Sequence, residues 1–279
     1  PPFKSLKDVL APVPGARPSV KRSPMVSGYE RPQSMVQKSV DLFLQEMDEA
    51  GVDKGILVGR QAGHRVVSND DIAELRDQYP SRFPLSVAGI NASDVPAALR
   101  EVERTTTKMG FNGIAVDPGW CVPAMYVDDP RIYPIYAKCQ ELEVVLYLTC
   151  SLMQGPDISY AEPWRIQRVA NDFPALQIVV VHGAFPYTAE MIGVMIANAP
   201  LGNIWVLPDF FQSIPGFPGA QDWVEAANHY LGDRILYASS YPVRPLKQSL
   251  KEFQRFPYKP DVLENLLSKN AANVFKMKI

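Results

Sequence analysis

Short apolar segments alternate with segments of helical period along most of this chain. The apolar segments lie at 54–59, 83–90, 113–116, 144–149, 177–181, 203–207 and 234–239. Apolar residues recur at helical spacing within 34–51, 69–79, 94–109, 131–142, 162–173, 188–199, 220–231 and 245–275. Strands that alternate with helices are typical of a parallel sheet. With a length of 279 residues, the pattern predicts one α/β domain over 1–279, folded as a (β/α)8 TIM barrel.

One strand is missing from this count, because a closed barrel needs eight. The deficit lies at the amino terminus, where the helix predicted over 34–51 has no strand before it. Residues 1–33 are rich in Pro, Ser, Lys and Arg and lack periodicity, which indicates a long irregular segment. Strand 1 is either hidden in 1–33 or lies before the start of this chain. We favour the second, so that 1–33 follows strand 1.

The composition argues against several kinds of partner. The formal net charge is -2 and no run of Lys and Arg occurs, so nucleic acid is not expected as a partner. No apolar stretch reaches the roughly 18 to 20 residues that cross a bilayer, so a membrane is not expected either. Cys121, Cys139 and Cys150 are odd in number and lack metal-site spacing, which favours free thiols in the cytoplasm.

A continuous apolar run ends abruptly in His182 and Gly183. Barrel enzymes place their working groups at the carboxyl ends of strands, so we expect His182 to act in catalysis. Period-two alternation puts Ile178, Val180 and His182 on one face, and His182 points along the barrel axis if Ile178 lines the interior. The alternative is a histidine that only hydrogen-bonds the next loop.

Other polar residues also follow predicted strands. Arg60 ends the strand at 54–59, and its planar guanidinium suits a substrate carboxylate, although a structural ion pair is equally open. Thr149 and Tyr147 share one face of their strand, where Tyr147 offers a phenolic hydrogen bond or packs the barrel. Ser240 and Tyr241 follow the last strand and are expected to contact the substrate.

Two carboxylates are further candidates. Asp209 could orient His182 or act as a second acid–base group, or it could cap a helix. Asp117, within Val-Asp-Pro-Gly-Trp, either forms a turn or offers a pocket carboxylate. We expect no function for His229 on an outer helix, and we expect His64 to be solvated in a loop.

Four segments resemble successive landmarks of the amidohydrolase-related (amidohydrolase 2) barrels. This family includes aminocarboxymuconate semialdehyde decarboxylase, resorcylate-type decarboxylases and lactonases. The segments follow the family's order and spacing, and the resemblance covers 34–275. They are Met109-Gly-Phe-Asn-Gly-Ile114, Val181-His-Gly183, Arg234-Ile-Leu-Tyr-Ala-Ser-Ser-Tyr-Pro242 and Asn270-Ala-Ala-Asn-Val-Phe275.

The resemblance also implies a metal site, which this sequence keeps only in part. Metal-binding members carry His-x-His on the first barrel strand, histidines on the fifth and sixth, and an aspartate on the eighth. Here only the sixth-strand histidine, His182, remains, and Thr149 and Ser240 stand at the fifth-strand and eighth-strand positions. Hydroxyls are poor metal ligands, so we expect neither a metal nor another cofactor.

These features predict a metal-independent, lactonase-like hydrolase that opens an activated acyl bond in a small carboxylate-bearing molecule. His182 is its general base and Arg60 its carboxylate anchor. The alternatives are a decarboxylase or other lyase, which needs an electron sink, and a barrel that binds a small molecule without converting it. An internal ion pair at Arg60, with His182 closed off from any cavity, would favour the binding protein.

The segment Phe210–Gly219 is unusually apolar for a connection between a strand and a helix. We expect it to cover the pocket or to form a subunit interface, and a dimer is the predicted assembly.

Overall fold

The computed structural model describes residues 29–62 and 66–277. Most of the predicted irregular segment, residues 1–28, lies outside the described residues, as does His64. Six parallel strands of the described chain form one curled sheet in sequential order. They are β1 Ile56–Val58, β2 Leu85–Ile90, β3 Gly113–Val116, β4 Val145–Thr149, β5 Ile178–Val181 and β6 Ile204–Leu207. The predicted α/β class and parallel sheet are thus confirmed.

The helices alternate with the strands as the sequence pattern predicts. They are α1 Gln33–Gln37, α2 Val40–Ala50, α3 Asn69–Gln78, α4 Val95–Glu103, α5 Tyr133–Glu141, α6 Pro163–Asp172, α7 Thr188–Ala197, α8 Phe210–Ser213, α9 Ala220–Ala226, α10 Leu246–Phe253, α11 Pro260–Glu264 and α12 Asn270–Val274. Turns of π-helix follow α4, α9 and α11. None of the helices within 29–62 and 66–277 combines the length and the apolar character needed to span a membrane.

The strand predicted over 234–239 is reduced to a single parallel bridge between Val206 and Ile235. The amide of Leu236 still donates to the carbonyl of Val206. The amide of Tyr237, however, donates to the carbonyl of Leu266, which follows α11, over 3.0 Å. The Tyr237 amide faces away from β6, and the ladder with β6 ends at Leu236 because the next donor on β6 would be Pro208, which has no N–H.

The two faces of the sheet pack against different layers. Ile178 and Val180 of β5 belong to the large cluster between the sheet and the outer helices. Val179 packs on the concave inner face with Tyr147 and Trp205. Ile178 therefore does not line the interior, so the condition under which alternation would point His182 along the barrel axis is not met. Every residue of β5 is apolar, so alternation fixed which residues share a face but not which face points inward.

The register brings the carboxyl ends of neighbouring strands level with one another. Thr149, the last residue of β4, pairs with Val181 of β5. Val181 in turn pairs with Leu207, the last residue of β6. Residues that follow these strands therefore meet at one edge of the sheet.

Candidate active site

His182, Asp209 and Ser240 meet at the carboxyl edge of the sheet. His182 follows β5 directly, and Asp209 follows β6 after one intervening proline. Nδ1 of His182 lies 3.2 Å from Oδ2 of Asp209. The hydroxyl of Ser240 donates a hydrogen bond to Oδ1 of the same carboxylate. One carboxylate therefore links an imidazole and a hydroxyl that come from two other strand ends.

The backbone is strained at all three of these residues. Their φ angles are 69° for His182, 62° for Asp209 and 58° for Ser240, in the region that L-residues rarely adopt. Asp209, with ψ at -136°, lies outside even the left-handed helical region. Such conformations cost on the order of 1–3 kcal/mol each and cluster at functional sites, where the surrounding structure enforces them. The reversal at His182 also removes it from the alternation of β5.

The backbone conformation and the close packing after His182 require a glycine at position 183. Its φ is +59°, and a Cβ atom there would lie 3.0 Å from the Trp223 ring and 3.3 Å from Pro208. Pro208 immediately precedes Asp209, so this close approach brings the loop after β5 against the loop after β6. The His-Gly pair thereby serves the contact between His182 and Asp209.

Aromatic rings cover the imidazole. The centroid of the His182 ring lies 5.5 Å from that of Phe210 and 5.9 Å from that of Phe211. Phe185 stacks on Phe211 at 4.4 Å, and Phe217 packs against both. The predicted apolar segment thus folds its first half, α8, onto His182.

The pair remains partly accessible and incompletely bonded. The side chain of His182 is 18% exposed and that of Asp209 is 8% exposed. Nδ1 of His182 is buried and has no hydrogen-bond partner among the described residues, because the contact with Asp209 is close in distance but not aligned as a hydrogen bond. An imidazole beside a carboxylate under an apolar cover is suited to hold a proton and release it to a bound molecule.

Arg60 lies in a second cluster at the end of β1. Its Nη1 is 3.2 Å from Oδ1 of Asp117, and its guanidinium stacks 4.6 Å from the Trp120 ring. Nε2 of Gln154 donates to the same Asp117 oxygen over 3.2 Å. The ion pair that the sequence left open is therefore present. The Arg60 side chain is still 22% exposed, whereas Asp117 is almost fully buried.

Tyr147, Thr149 and Tyr241 occupy different surroundings. Tyr147 packs on the inner face with Phe275, and burial raises the pKa of its phenol. Thr149 is buried at the end of β4. The hydroxyl of Tyr241 lies 2.5 Å from that of Ser34, and burial raises the pKa of Tyr241. Tyr241 is thus bound to the amino-terminal helices.

Sequence reasoning missed three buried polar residues beside these clusters: Gln154, Ser213 and Arg244. Each lies in a segment between regular elements or in a short helix, where periodicity gives no signal. The signal available for Arg244 was a charge within Tyr-Pro-Val-Arg-Pro, directly after a predicted strand end.

His182 and Asp209 provide one nitrogen and one carboxylate as potential metal ligands. Within 29–62 and 66–277, no group of three or more His, Cys, Asp or Glu side chains could hold a metal ion. Thr149 and Ser240 add only hydroxyls. Protein metal sites of this type draw on about three nitrogen, sulfur or carboxylate ligands. The side chains in the described part of the chain do not by themselves form such a site.

Known proteins are similar to this chain in structure or in sequence. An uncharacterised TIM-barrel protein from Bordetella bronchiseptica is 34% identical, with a TM-score of 0.84 over 91% of this chain and 89% of that one. The gamma-resorcylate decarboxylase of Rhodococcus jostii is 24% identical over 75% of each chain. A dihydroxybenzoic acid decarboxylase from Polaromonas, solved with bound manganese and 2-nitroresorcinol, is 19% identical, with a TM-score of 0.65 over 88% of this chain and 90% of that one.

These relatives correct the function expected from the sequence. Those with a named activity are decarboxylases, so the prediction of a lactonase-like hydrolase is wrong. The manganese bound in the Polaromonas enzyme contradicts the prediction of metal independence. The alternative of a decarboxylase or other lyase is the one that the comparisons support.

The resemblance seen in the four landmark segments extends to nearly the whole chain. The family model Amidohydro_2, described as amidohydrolase, matches residues 17–277. The chain belongs to the amidohydrolase family.

Proposed function

We propose that this chain is a lyase of the decarboxylase type that acts on a small carboxylic acid, with a hydroxylated aromatic carboxylate as the preferred substrate. The observation that supports this most is the His182–Asp209 pair, held by a strained backbone beneath an aromatic cover at the carboxyl edge of the sheet. The names of the similar enzymes supply the substrate class.

His182 is the proton donor in this proposal. Its imidazolium gives a proton to the ring carbon that carries the carboxylate, and a ring electron pair forms the new C–H bond. The C–C bond to the carboxylate then breaks, carbon dioxide leaves, and the electron pair returns to the ring. The hydroxylated ring is therefore its own electron sink. Asp209 stabilises the imidazolium, and water returns the proton to His182.

Arg60 is the proposed anchor for an anionic oxygen of the substrate. Asp117 lies next to only one of its terminal nitrogens, and the part of the chain that the structure describes gives the Arg60 guanidinium no aligned hydrogen bond. A guanidinium has five N–H donors, so it can accept a carboxylate while it stays beside Asp117. Asp117 thus acts as the partner of Arg60. Thr149 and Ser240 lie at strand ends, and we propose that their hydroxyls contact the substrate.

The scaffold that we propose for this reaction is a closed (β/α)8 barrel in one domain over 1–279. Its assembly as a dimer through Phe210–Gly219, its cytoplasmic location and its lack of nucleic-acid and membrane partners stay predictions. Light scattering at micromolar concentration would test the dimer.

The experiment is a substrate screen with matched histidine variants. Hydroxybenzoates and aliphatic carboxylic acids are supplied to the purified protein, with and without added Mn²⁺, and carbon dioxide and the decarboxylated product are measured. We expect turnover of at least one hydroxybenzoate. His182→Asn should lower turnover by roughly 10²- to 10⁴-fold, as for a lost general acid. His229→Asn, on an outer π-helical turn, should leave it unchanged.

The second candidate is a barrel that binds a small carboxylate without converting it. The ion pair between Arg60 and Asp117 favours it, because part of the anchoring charge is already neutralised. Calorimetric binding of a hydroxybenzoate without product, both with and without Mn²⁺, would establish this candidate and refute the lyase.

A further inference from the structure

Arg244 is fully buried, with no exposed side-chain surface. Its Nη1 donates to Oγ of Ser213 over 2.6 Å, and its Nη2 donates to the Glu252 carboxylate and, over 3.0 Å, to the Tyr29 hydroxyl. Burying a guanidinium is costly unless it is paired and hydrogen-bonded. Glu252 supplies the countercharge, but the bond to Ser213 requires a separate explanation.

Ser213 connects Arg244 to the site. Its hydroxyl donates to the backbone carbonyl of Asp209 over 3.3 Å. A serine hydroxyl has a single proton, and the guanidinium can only donate. Arg244 occupies a lone pair of Oγ, and the single hydroxyl proton is given to the Asp209 carbonyl.

The backbone of Arg244 lies next to the other partner of Asp209. The amide of Val243 donates to the carbonyl of Ser240 over 2.7 Å and closes a turn, and Arg244 follows directly. Arg244 therefore joins the loop that carries Ser240 to the helix α8 that follows Asp209. The loop and the helix thus meet at the carboxylate of Asp209.

We propose that Arg244 is a positioning residue of the site, which acts through Ser213 to hold Asp209 in its strained conformation between His182 and Ser240. The expected effect on kcat rests on the proposed function. The expected effect on the conformation of Asp209 does not depend on any reaction. A strained residue keeps its conformation only where its surroundings enforce it, and the Ser213 hydroxyl is one such restraint.

The test compares two deletions of one hydroxyl each. Ser213→Ala removes the bond to the Asp209 carbonyl. Tyr258→Phe is the matched control, because the Tyr258 hydroxyl accepts a buried hydrogen bond of 2.8 Å from the side chain of Gln212 on the same short helix. The backbone amide of Gln212, which also donates to the Asp209 carbonyl over 3.2 Å, is kept in both variants. Both variants should lose a similar amount of thermal stability. Ser213→Thr keeps the hydroxyl and is the rescue.

Crystal structures of the variants give the readout that does not depend on activity. We expect Asp209 to leave its positive φ, or its carboxylate to move away from the 3.2 Å contact with His182, in Ser213→Ala only. With a hydroxybenzoate that the wild type turns over, Ser213→Ala should lower kcat by up to about 10²-fold with little change in KM, as for a group misplaced by about 1 Å. Ser213→Thr and Tyr258→Phe should keep the wild-type kcat.

An unchanged Asp209 in the Ser213→Ala structure would overturn the positioning role, as would an equal loss of kcat in Tyr258→Phe. If the wild type converts no acid, the proposed function fails, and the position of Asp209 in the variant structures still decides the role of Arg244.

Discussion

Asp209 divides its two carboxylate oxygens between His182 and Ser240, and this division gives the residue its expected role. The substitution Asp209→Asn keeps the shape but removes the charge that would stabilise an imidazolium. A close contact to a charged group contributes about 1.5–3 kcal/mol, which corresponds to a loss of roughly 10- to 10²-fold in kcat. Steady-state kinetics would measure it, with KM expected to change little.

Asp233→Asn is the control for this substitution, because Asp233 pairs only loosely with Arg234 and its side chain is 67% exposed. It should leave kcat unchanged. Full activity of Asp209→Asn would exclude the carboxylate from proton transfer.

Replacing Arg60 should lower stability and substrate binding rather than kcat. Because Asp117 is almost fully buried, Arg60→Ala leaves a carboxylate with Gln154 as its remaining side-chain partner, and stability should fall by about 1–3 kcal/mol. Substrate binding should weaken by about 1.5–3 kcal/mol, seen as a higher KM.

A double substitution separates the two effects. Arg60→Met with Asp117→Asn removes the unpaired charge, so urea unfolding should show stability recovered while KM stays high. Recovery of both quantities would mean that Arg60 serves only as the partner of Asp117.

At the scale of elements, α8 joins the site to the core through its aromatic residues. Phe211 is almost fully buried and contacts both His182 and Phe185, whereas Phe217 is only partly buried. Phe211→Ala should lower the free energy of unfolding by about 3–5 kcal/mol through lost burial and a cavity. Phe217→Ala should cost clearly less. Urea denaturation compares the two, and equal losses would contradict this packing of α8.

The elements themselves were largely predictable from the sequence. The strand predicted over 113–116 matches β3 residue for residue, because a glycine and a polar turn delimit its apolar run. Local contacts overrode the pattern elsewhere. Ser39 caps α2, five residues after the start of the predicted helix at 34, and the Ser34 hydroxyl donates to Glu46 instead. The pairing of the segment after Ile235 with β6 ends where Pro208 offers no N–H donor.

At the scale of the whole molecule, the contact of His182 with Asp209 could be anticipated because neighbouring parallel strands end at one edge. Whether Arg60 is free or paired with Asp117 could not be anticipated. The two residues follow different strands, and alternation gives no distance between them. The chemistry was misjudged for a physical reason as well. Without the metal ligands the sequence ranks a lyase behind a hydrolase for want of an electron sink, but a hydroxylated aromatic substrate carries its own.

The stability of the whole chain should fall in alkaline solution. Burial raises the pKa of Cys139, Cys150 and Tyr237 to about 12. An unfolded thiol ionises near pH 8.5, so above that pH the folded state binds more protons than the unfolded state. The stability that these groups contribute is complete below about pH 8.5 and is lost as the pH rises towards 12. The free energy of unfolding falls by up to about 1.4 kcal/mol per thiol for each pH unit.

The urea midpoint should therefore hold steady from pH 7 to 8 and drop between pH 9 and 11. Replacing Cys139 and Cys150 by alanine should make that drop shallower, and an unaltered slope in the double variant would show that the thiols do not carry it.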